Sequence, residues 1–411
     1  MVDARNEFGR NEHMTFKANM GVGRHGWLRL TPAYGVRIVR ERIEALRENS
    51  LVFDPFSGTG TTALAAAELG HVGRSADVNP FLVWLGNAKM SNYSQESLQE
   101  TIRATHDITA AALKMGRVEE LWQPNLFKIE KWWSDGSLHA LKALRHEIDK
   151  LEGAPRNLLD VAFCRTLITC SNAAFNHQSM SFKDTKEDSA LFDLDDFNIV
   201  LESFAANLQE NIDSAEFDLQ GEAKVLLGDS RGVQEAVSDV DAVITSPPYV
   251  NRMSYIRELR PYMYWMRYLN KASDAGDLDW EAIGGTWGTA TSKVGHWTPE
   301  SSTPIDEEMN AVCERIAADG KKNGPLLANY VSKYHHDMWE HFQSITGLVR
   351  KGGTLSYIIG NSTFYGHEVP AHKWYADMLK ALGYEDVQVT TIRKRNSNKK
   401  LFEYDVSATR T

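Results

Sequence analysis

The segment ITSPPYVN, residues 244–251, places a serine and a tyrosine on either side of two consecutive prolines. Proline has no N–H group, fixes its own φ and restricts the residue before it, so Pro247 and Pro248 predict a stiff, extended arm. The exocyclic amino group of a nucleobase is a poor nucleophile because its lone pair is conjugated into the ring. Two fixed acceptors, the Ser246 hydroxyl and the Pro247 carbonyl, would favour a more tetrahedral nitrogen. Tyr249 can stack on a base that has rotated out of a duplex.

The alternative interpretation is a serine in front of an ordinary polyproline turn. Proline makes up about 5% of average sequences, so S-P-P-Y arises by chance in roughly one chain in several hundred of this length. Its position at the end of an apolar segment, downstream of a glycine-rich turn, makes chance rarer still. The motif therefore indicates a catalytic loop.

That glycine-rich turn, DPFSGTGTT at residues 54–62, joins a short apolar segment to an alanine-rich segment that predicts a helix from near Thr61. Glycine lets backbone N–H groups approach a ligand. The turn lacks the third glycine of a dinucleotide fingerprint and the GK[ST] of a Walker loop, and a GVGRHG match at residues 21–26 has no strand before it. The candidate cofactor-binding residues here are Asp54, Pro55, Phe56, Gly58, Thr59, Gly60, Thr61 and Thr62.

Two further carboxylates end short apolar segments. Asp77 is placed to accept hydrogen bonds from a ribose diol, although such residues also cap the helix that follows. Asp229, in LLGDSRGV, ends a third segment in the same way. Because ligands bind at the carboxyl ends of parallel strands, one cleft can collect Asp54, Asp77, Asp229 and Ser246.

The elements that must position these residues alternate as strand and helix near the N-terminus, which predicts a parallel sheet with right-handed crossovers. Helical patterns then interrupt the series, and a second stretch is irregular and rich in Gly, Asp, Ser and Trp. We predict one α/β sheet domain with two insertions. The segments are a polar tail (1–20), the core with the cofactor loop (21–92), a helical insertion (93–215), the core with the catalytic loop (216–268), a candidate target-recognition insertion (269–327) and the C-terminal core (328–411).

Composition sets wide bounds. The chain has 411 residues, 42% of them hydrophobic, and a net charge of −10, which argues mildly against nucleic acid but leaves room for a local basic patch. There is no apolar run of about 18 residues, and the polar N-terminus does not resemble a signal peptide, so we expect a cytoplasmic protein. Cys164, Cys170 and Cys313 form no CxxC pair and predict free thiols. The segment YHHDMWEH predicts a helix surface, and no metal site is expected.

The combination of DPFSGTGTT with TSPPY resembles the amino-group DNA methyltransferases that use S-adenosylmethionine. GWLRLTPAY at residues 26–34 is similar to the family's N-terminal motif over the methionine end of the cofactor, which adds Thr31 and Pro32. Asp77 with Asn79, and Asp229 with Ser230, fall where the family contacts ribose and adenine. The resemblance covers residues 20–92, 220–268 and 328–411.

The resemblance implies a Rossmann-like class I methyltransferase fold, with a mostly parallel sheet and an antiparallel C-terminal hairpin. It implies duplex DNA as substrate, base flipping, direct methyl transfer without a covalent enzyme–base intermediate, and a restriction-modification or other defence partner such as a cognate endonuclease. SPPY is the form usual in cytosine-N4 enzymes. Adenine-N6 enzymes, RNA or protein amino-group methyltransferases, and a non-enzymatic DNA-binding subunit are the alternatives.

The DNA contacts are predicted from charge and aromatic content. NRMSYIRELRPYMYWMRYL follows the catalytic loop, and its arginines and aromatics suit phosphates and bases, although an amphipathic helix packed on the core explains most of them. Asn251 and Arg252 are the predicted exceptions. The basic hairpin TIRKRNSNKK would hold the DNA backbone, and its alternative is a solvated tip. Its candidate residues are Arg393, Lys394, Arg395, Lys399 and Lys400.

The second insertion is predicted to read the target sequence. Its segment IGGTWGTATSKVGHWTPESST carries hydroxyls, Trp287, Lys293 and Trp297, which suit base edges, phosphates and an unstacked gap. The helical insertion is acidic and would repel phosphates. The alternative for the second insertion is a lid over the cofactor or a dimer contact.

Overall fold

The computed structural model describes residues 16–28, 30, 34–116, 120–174, 181–182, 193–233, 237–251, 254–286, 288–395 and 401–411. The strands are β1 Leu51–Asp54, β2 Val72–Asp77, β3 Ala173–Ala174, β4 Ser181–Phe182, β5 Glu222–Leu227, β6 Val240–Thr245, β7 Val349–Gly360, β8 Ser362–Phe364, β9 His367–Val369, β10 Tyr384–Lys394 and β11 Phe402–Arg410. The helices are α1 Phe16–Asn19, α2 Val36–Ile43, α3 Thr61–Glu68, α4 Pro80–Met90, α5 Gln95–Met115, α6 Ile129–Trp132, α7 Asp135–Ile148, α8 Ala154–Thr169, α9 Asp193–Ala215, α10 Ile256–Trp265, α11 Ala272–Glu281, α12 Thr289–His296, α13 Asp306–Asp319, α14 Gly324–Thr346 and α15 Ala371–Ala381.

Seven of these strands form a central sheet in the order β10-β11-β7-β6-β1-β2-β5. The strands from β7 to β5 are parallel to one another, whereas β11 runs antiparallel to both β7 and β10. This confirms the predicted α/β fold with a mostly parallel sheet and an antiparallel C-terminal pair. Between β1 and β6 the strand order reverses, and open sheets of this type bind ligands at that point.

The start of the sheet depends on close packing of α3 against β2. The alanine-rich α3 is buried along most of its length. Gly73 of β2 lies directly under it, because a Cβ at that position would be 2.3 Å from the carbonyl oxygen of Ala63. The small residues of both elements therefore set the distance between helix and sheet, and with it the position of the glycine-rich turn that leads into α3.

The crossover from β2 to β5 is long and contains α4 to α9. These helices enclose an aromatic core that includes Trp133 and Phe163. Both rings contact Trp265 of α10, with centroids 5.8 Å and 5.5 Å apart. Inside the same core, Arg145 forms a buried ion pair with Asp160 at 2.8 Å. Helix α10, which follows the SPPY segment, is thus anchored in the helical segment by its aromatic residues, as the amphipathic alternative predicted.

We expected the second insertion to be irregular, and this expectation is wrong. Helices α11, α12 and α13 occupy much of it. Its glycine, serine and threonine content gives low intrinsic helix propensity. Tertiary packing overrides that propensity: Ala290 and Val294 of α12 are fully buried, and α12 packs against α11 and α14.

Helix α14 connects the second insertion to the SPPY segment. It precedes β7, so its N-terminal end lies at the edge formed by the carboxyl ends of the parallel strands. Tyr334 in its middle reaches Pro248, and Tyr330 one turn earlier donates to the Gly284 carbonyl at 3.2 Å. Within the described ranges, no helix is both long and apolar enough to cross a membrane.

Candidate active site

A cleft lies at the carboxyl edge of the sheet, at the reversal of strand order. Asp77 at the end of β2, Asp229 after β5 and Ser246 after β6 all line it. The structure thus brings together residues that the sequence analysis assigned to cofactor and to catalysis. Other predicted residues that line the cleft are Pro55, Phe56, Gly58, Asn79, Ser230 and Pro248.

The glycine-rich turn adopts backbone conformations that favour glycine. Gly58 has φ +51° and Gly60 has φ +77°, both in the left-handed region. Gly60 is the N-cap of α3, and a Cβ there would also lie 2.9 Å from the Met90 side chain. Both glycines are therefore required by the shape of the turn, and the first of them lies on the wall of the cleft.

The threonines of this turn lie inside the protein and do not line the cleft. Thr59, Thr61 and Thr62 are buried, and the Thr62 hydroxyl donates to a β6 carbonyl at 3.1 Å. The buried Lys89 donates from Nζ to the carbonyl of Thr59 at 3.0 Å. Burial lowers the pKa of Lys89 to about 7. These contacts support the turn from behind, and Lys89 is a supporting residue that the sequence analysis missed.

Asp54 is fully buried at the end of β1 and, contrary to the prediction, does not line the cleft. Its Oδ1 accepts hydrogen bonds from the Thr245 hydroxyl at 2.5 Å and the Phe56 N–H at 3.0 Å. Among the described residues its Oδ2 has no hydrogen-bond partner although it is buried. Burial raises the pKa of the carboxyl to about 6, against these hydrogen bonds, which lower it.

Asp77 is bound on both oxygens by the backbone. Its Oδ2 accepts the Gly58 N–H and its Oδ1 accepts the Asn79 N–H, each at 2.9 Å. The cap of α4 is Asn79, which accepts the Phe81 N–H at 3.0 Å, so Asp77 does not serve as the helix cap. Burial raises the pKa of Asp77 to about 7. Each carboxylate oxygen can accept a further hydrogen bond from a ligand in the cleft.

Asp229 has a partner that the sequence did not reveal. Arg231 forms a bidentate ion pair with it, and the Nη2–Oδ2 distance is 2.5 Å. The same guanidinium contacts Asp337 of α14 at 3.1 Å and the carbonyl of Glu281 at 2.8 Å. Arg231 therefore fixes Asp229 and ties the end of β5 to the second insertion. The only sequence signal was the arginine two residues after the aspartate.

Hydroxyl groups hold the SPPY arm, residues 246–249, from several sides. Ser246 donates from Oγ to the carbonyl of Ile358 in β7 at 3.0 Å. The Pro248 carbonyl accepts from Tyr334 at 2.6 Å, and the Tyr249 N–H donates to the Tyr255 hydroxyl at 3.2 Å. Because the Ser246 hydroxyl donates its proton to the Ile358 carbonyl, the lone pairs of its oxygen remain available to accept hydrogen bonds. Pro247 is buried behind Ser246.

The predicted DNA-binding residues fall into different surroundings. Asn251 follows the arm and is half-buried, with its Oδ1 unpartnered among the described residues. Lys293 is exposed on α12, with Nζ 5.3 Å from the centre of the Trp280 ring. Trp297 ends α12 and packs edge-on against His336, 5.3 Å between centroids.

The basic hairpin does not present its arginines freely to solvent. Arg393 forms an ion pair with the buried Glu403 at 2.6 Å, and Arg395 lies over the ring of Tyr249 at 4.7 Å. These intramolecular contacts argue against the predicted role of both arginines in holding the DNA backbone. Lys394 lies between them at the end of β10 and is half-buried. The predicted residues Thr31, Pro32, Arg252, Trp287, Lys399 and Lys400 lie outside the described residues.

The histidines of YHHDMWEH are buried, and the expectation of a helix surface is wrong. His335 and His341 are fully buried on α14, and burial lowers the pKa of each to about 3. His341 shares a 2.7 Å hydrogen bond with the Tyr357 hydroxyl. The three cysteines are unpaired thiols. Across the described ranges, no cluster of three or more His, Cys, Asp or Glu side chains could hold a metal ion.

The comparisons with known proteins give one distant relative. No protein-family model matches the chain. The chain is 20% identical over 444 residues to the Type II methyltransferase M.BsoBI of Geobacillus stearothermophilus, and the alignment covers 97% of this chain and 86% of the relative. This likeness extends over nearly the whole chain, insertions included, and supports a place for the protein among the methyltransferases.

Proposed function

We propose that this protein transfers a methyl group from S-adenosylmethionine to an exocyclic amino group in duplex DNA, specifically to cytosine N4 within a defined sequence. The observation that carries the proposal is the single cleft lined by the strand-end carboxylates Asp77 and Asp229 and by Ser246 of the SPPY arm. The type II methyltransferase to which the chain is similar supports DNA as the substrate.

The cleft fits the polar groups of the cofactor. Asp54 is fully buried and does not line the cleft, so it supports the cofactor turn from behind through the Thr245 hydroxyl and the Phe56 N–H. Asp77 offers remaining acceptor capacity for a ribose diol. Asp229, whose carboxylate is held by Arg231, is the proposed acceptor for the adenine amino group. When bound, S-adenosylmethionine supplies an electrophilic methyl group on a sulfonium.

The SPPY arm positions the target nitrogen. The Ser246 oxygen and the Pro247 carbonyl accept the two N–H bonds of the amino group and favour its tetrahedral form. Transfer breaks the sulfur–methyl bond and forms the nitrogen–methyl bond, and one amino proton passes to solvent. The arm contributes by rigidity: the hydroxyls of Tyr334 and Tyr255 hold its backbone. Because these acceptors are already fixed in place, no free energy is needed to reorient them when charge develops in the transition state.

Tyr249 receives the target base after it has left the duplex. A base inside the helix cannot reach a nitrogen-positioning arm at the bottom of a cleft, so base flipping accompanies the reaction. Stacking on an aromatic ring contributes about 1–3 kcal/mol per base and places the base plane without reading its edge. The choice of cytosine N4 rests on the serine of the motif.

The second insertion is proposed to contribute target recognition through α12, whose Lys293 is exposed. Part of the same insertion covers the cofactor side of the cleft, because Ala282 and Ile283 line it with Asp77. The second insertion can therefore serve both as a lid over the cofactor, near Ile283, and as a recognition surface, on α12. A cognate restriction endonuclease would be the functional partner of such an enzyme, since the relative is a type II methyltransferase.

Methylation of mixed DNA with labelled cofactor tests the proposal. The purified protein is incubated with duplex DNA of diverse sequence, and the nucleosides are separated after digestion. We expect label in N4-methylcytosine, with the Ser246→Ala variant as the inactive control. Label in N6-methyladenine alone would contradict the cytosine assignment, and label in RNA but not in DNA would contradict the substrate.

A further inference from the structure

The hydroxyl of Tyr249 is bonded to a residue at the far end of the chain. It donates to Oε1 of Glu403 at 2.6 Å, across a sequence separation of 154 residues. Glu403 is 4% exposed and lies in β11. In the sheet it pairs with Arg393 of β10 on one side and with Gly360 of β7 on the other. The C-terminal hairpin therefore reaches the catalytic arm through a buried carboxylate.

Arg393 makes that carboxylate compatible with burial. Its Nε lies 2.6 Å from Oε2 of Glu403 and its Nη2 lies 3.1 Å from Oε1. A bidentate guanidinium pair is the geometry that compensates a buried carboxylate best. Oε1 of Glu403 thus accepts from both Arg393 and Tyr249. Removing the guanidinium would leave an unpaired buried charge beside the catalytic tyrosine.

Arg395 covers one face of the Tyr249 ring. Its guanidinium carbon lies 4.7 Å from the ring centre, and its Nη1 donates to the Asn361 carbonyl at 3.0 Å. Gly360 leaves the space for this stack. A Cβ at that position would lie 2.2 Å from Nη1 of Arg395 and 3.1 Å from Cε2 of Tyr249. A cation on one face of an aromatic ring leaves only the opposite face for a base.

We propose that Glu403, Arg393 and Arg395 are positioning residues for the base-stacking tyrosine. Glu403 with Arg393 fixes the direction of the Tyr249 hydroxyl and hence the plane of its ring, and Arg395 closes one face so that the other receives the flipped base. This inference rests on the proposed function. It reassigns the two arginines from the DNA backbone to the catalytic arm.

The test is a double-mutant cycle in which the single-turnover rate of methyl transfer is measured. The substrate is unmethylated DNA that contains the target sequence of the native protein. Tyr249→Phe keeps the ring but removes its hydroxyl, and we expect the rate to fall about tenfold. Glu403→Gln keeps an acceptor and should lose less than Glu403→Leu, which removes it. In the Tyr249→Phe background, Glu403→Leu should cost at least threefold less than it does alone, because the two act through one hydrogen bond. Independent, multiplicative losses would overturn the inference.

Arg395→Met separates positioning from DNA binding. We expect a rate about tenfold lower with an unchanged salt dependence of DNA affinity. An arginine that neutralised a phosphate would instead lower the slope of log K against log salt by about one on removal. Lys351→Met is the charge-matched control, since Lys351 is exposed at the opposite end of β7. A reduced salt slope with an unchanged rate would restore Arg395 to the DNA backbone.

Two measurements keep the outcomes distinct. Cofactor affinity by calorimetry should match the native protein in Tyr249→Phe, Glu403→Gln and Arg395→Met, since these changes leave the cleft walls intact, and circular dichroism at the assay temperature should show that each variant is folded. If the native protein methylates no nucleic acid, the proposed function fails. If it methylates DNA and the three variants turn over at the native rate, only the positioning role fails.

Discussion

Asp77→Asn removes a negative charge from the wall of the cleft while keeping the shape of the side chain. The pKa of the carboxyl is raised from 3.8 to about 7, mainly by burial and against the hydrogen bonds from Asn79 and Gly58. One pKa unit corresponds to about 1.36 kcal/mol, so ionised Asp77 costs the protein without cofactor at most about 4 kcal/mol at pH 8. Asp77 is partly exposed to the cleft, and screening by water lowers that figure toward about 2 kcal/mol.

The sign follows from proton binding. Between pH 4 and pH 7 the folded protein holds a proton on Asp77 that the unfolded chain has released, so the free energy of unfolding falls as the pH rises through this window. The asparagine variant lacks this fall. It also loses an acceptor for one of two backbone N–H groups, which costs about 1–3 kcal/mol at every pH. The difference in unfolding free energy should therefore move in favour of the variant by about 2–4 kcal/mol from pH 4 to pH 8.

Urea unfolding of both proteins without cofactor, across this pH range, measures the effect. Asp107→Asn is the control, because Asp107 is an exposed carboxylate on α5. Cofactor titration at pH 8 should show that the Asp77→Asn variant binds the cofactor more weakly than the native protein. The expected loss is about 1.5–3 kcal/mol, because a charge-assisted hydrogen bond is removed. A difference in unfolding free energy that stays constant with pH would refute the argument from burial. Unchanged cofactor affinity would show that Asp77 does not contact the ligand.

Further variants test other parts of the site and the fold. Ser246→Ala should lower the single-turnover rate about a hundredfold or more with normal cofactor affinity, and full activity would contradict the acceptor role. Gly73→Ala should destabilise by about 1–3 kcal/mol in urea, because its Cβ meets the α3 backbone; an unchanged midpoint would disprove that contact. The pKa of Lys89 is lowered to about 7 in the folded protein, so the free energy of unfolding should rise from pH 7 to pH 9.5. The Lys89→Met variant should lack this rise, and parallel pH profiles of the two proteins would contradict the role of Lys89. Lys293→Ala with Trp297→Ala should weaken DNA binding and site discrimination but leave cofactor affinity intact, and native site choice would exclude α12 from recognition.

Local patterns were enough to predict the central sheet and its cleft. The apolar segments that end at Asp54 and Asp77 each lead by a short connection into a helix, a pattern that predicts parallel strands joined by right-handed crossovers. The carboxyl ends of parallel strands share one edge, which is why Asp77, Asp229 and Ser246 meet although they are distant in sequence. The glycines of the turn have positive φ, a requirement that the residue types already indicated.

The second insertion shows where such patterns fail. Its sequence is poor in strong helix formers, and the irregular structure expected from that composition is wrong. The helix α12 exists because Ala290 and Val294 are buried against neighbouring helices. A segment of eight residues gains most of its helical stability from such packing, and no local property of the sequence reports it.

The partners of the charged residues were decided only by the tertiary structure. Arg393 and Arg395 looked like solvent-facing DNA contacts because a run of basic residues near a hairpin tip carries no information about what lies across the sheet. The return of β11 beside β7 places Glu403 against Tyr249 over 154 residues of sequence, and the missing side chain of Gly360 opens the space for Arg395. Residue types and their spacing were enough to predict that Asp77, Asp229 and Ser246 gather at one edge of the sheet. Pairing between distant strands determined how the tyrosine is held, because side-chain contacts depend on three-dimensional position and not on sequence neighbourhood.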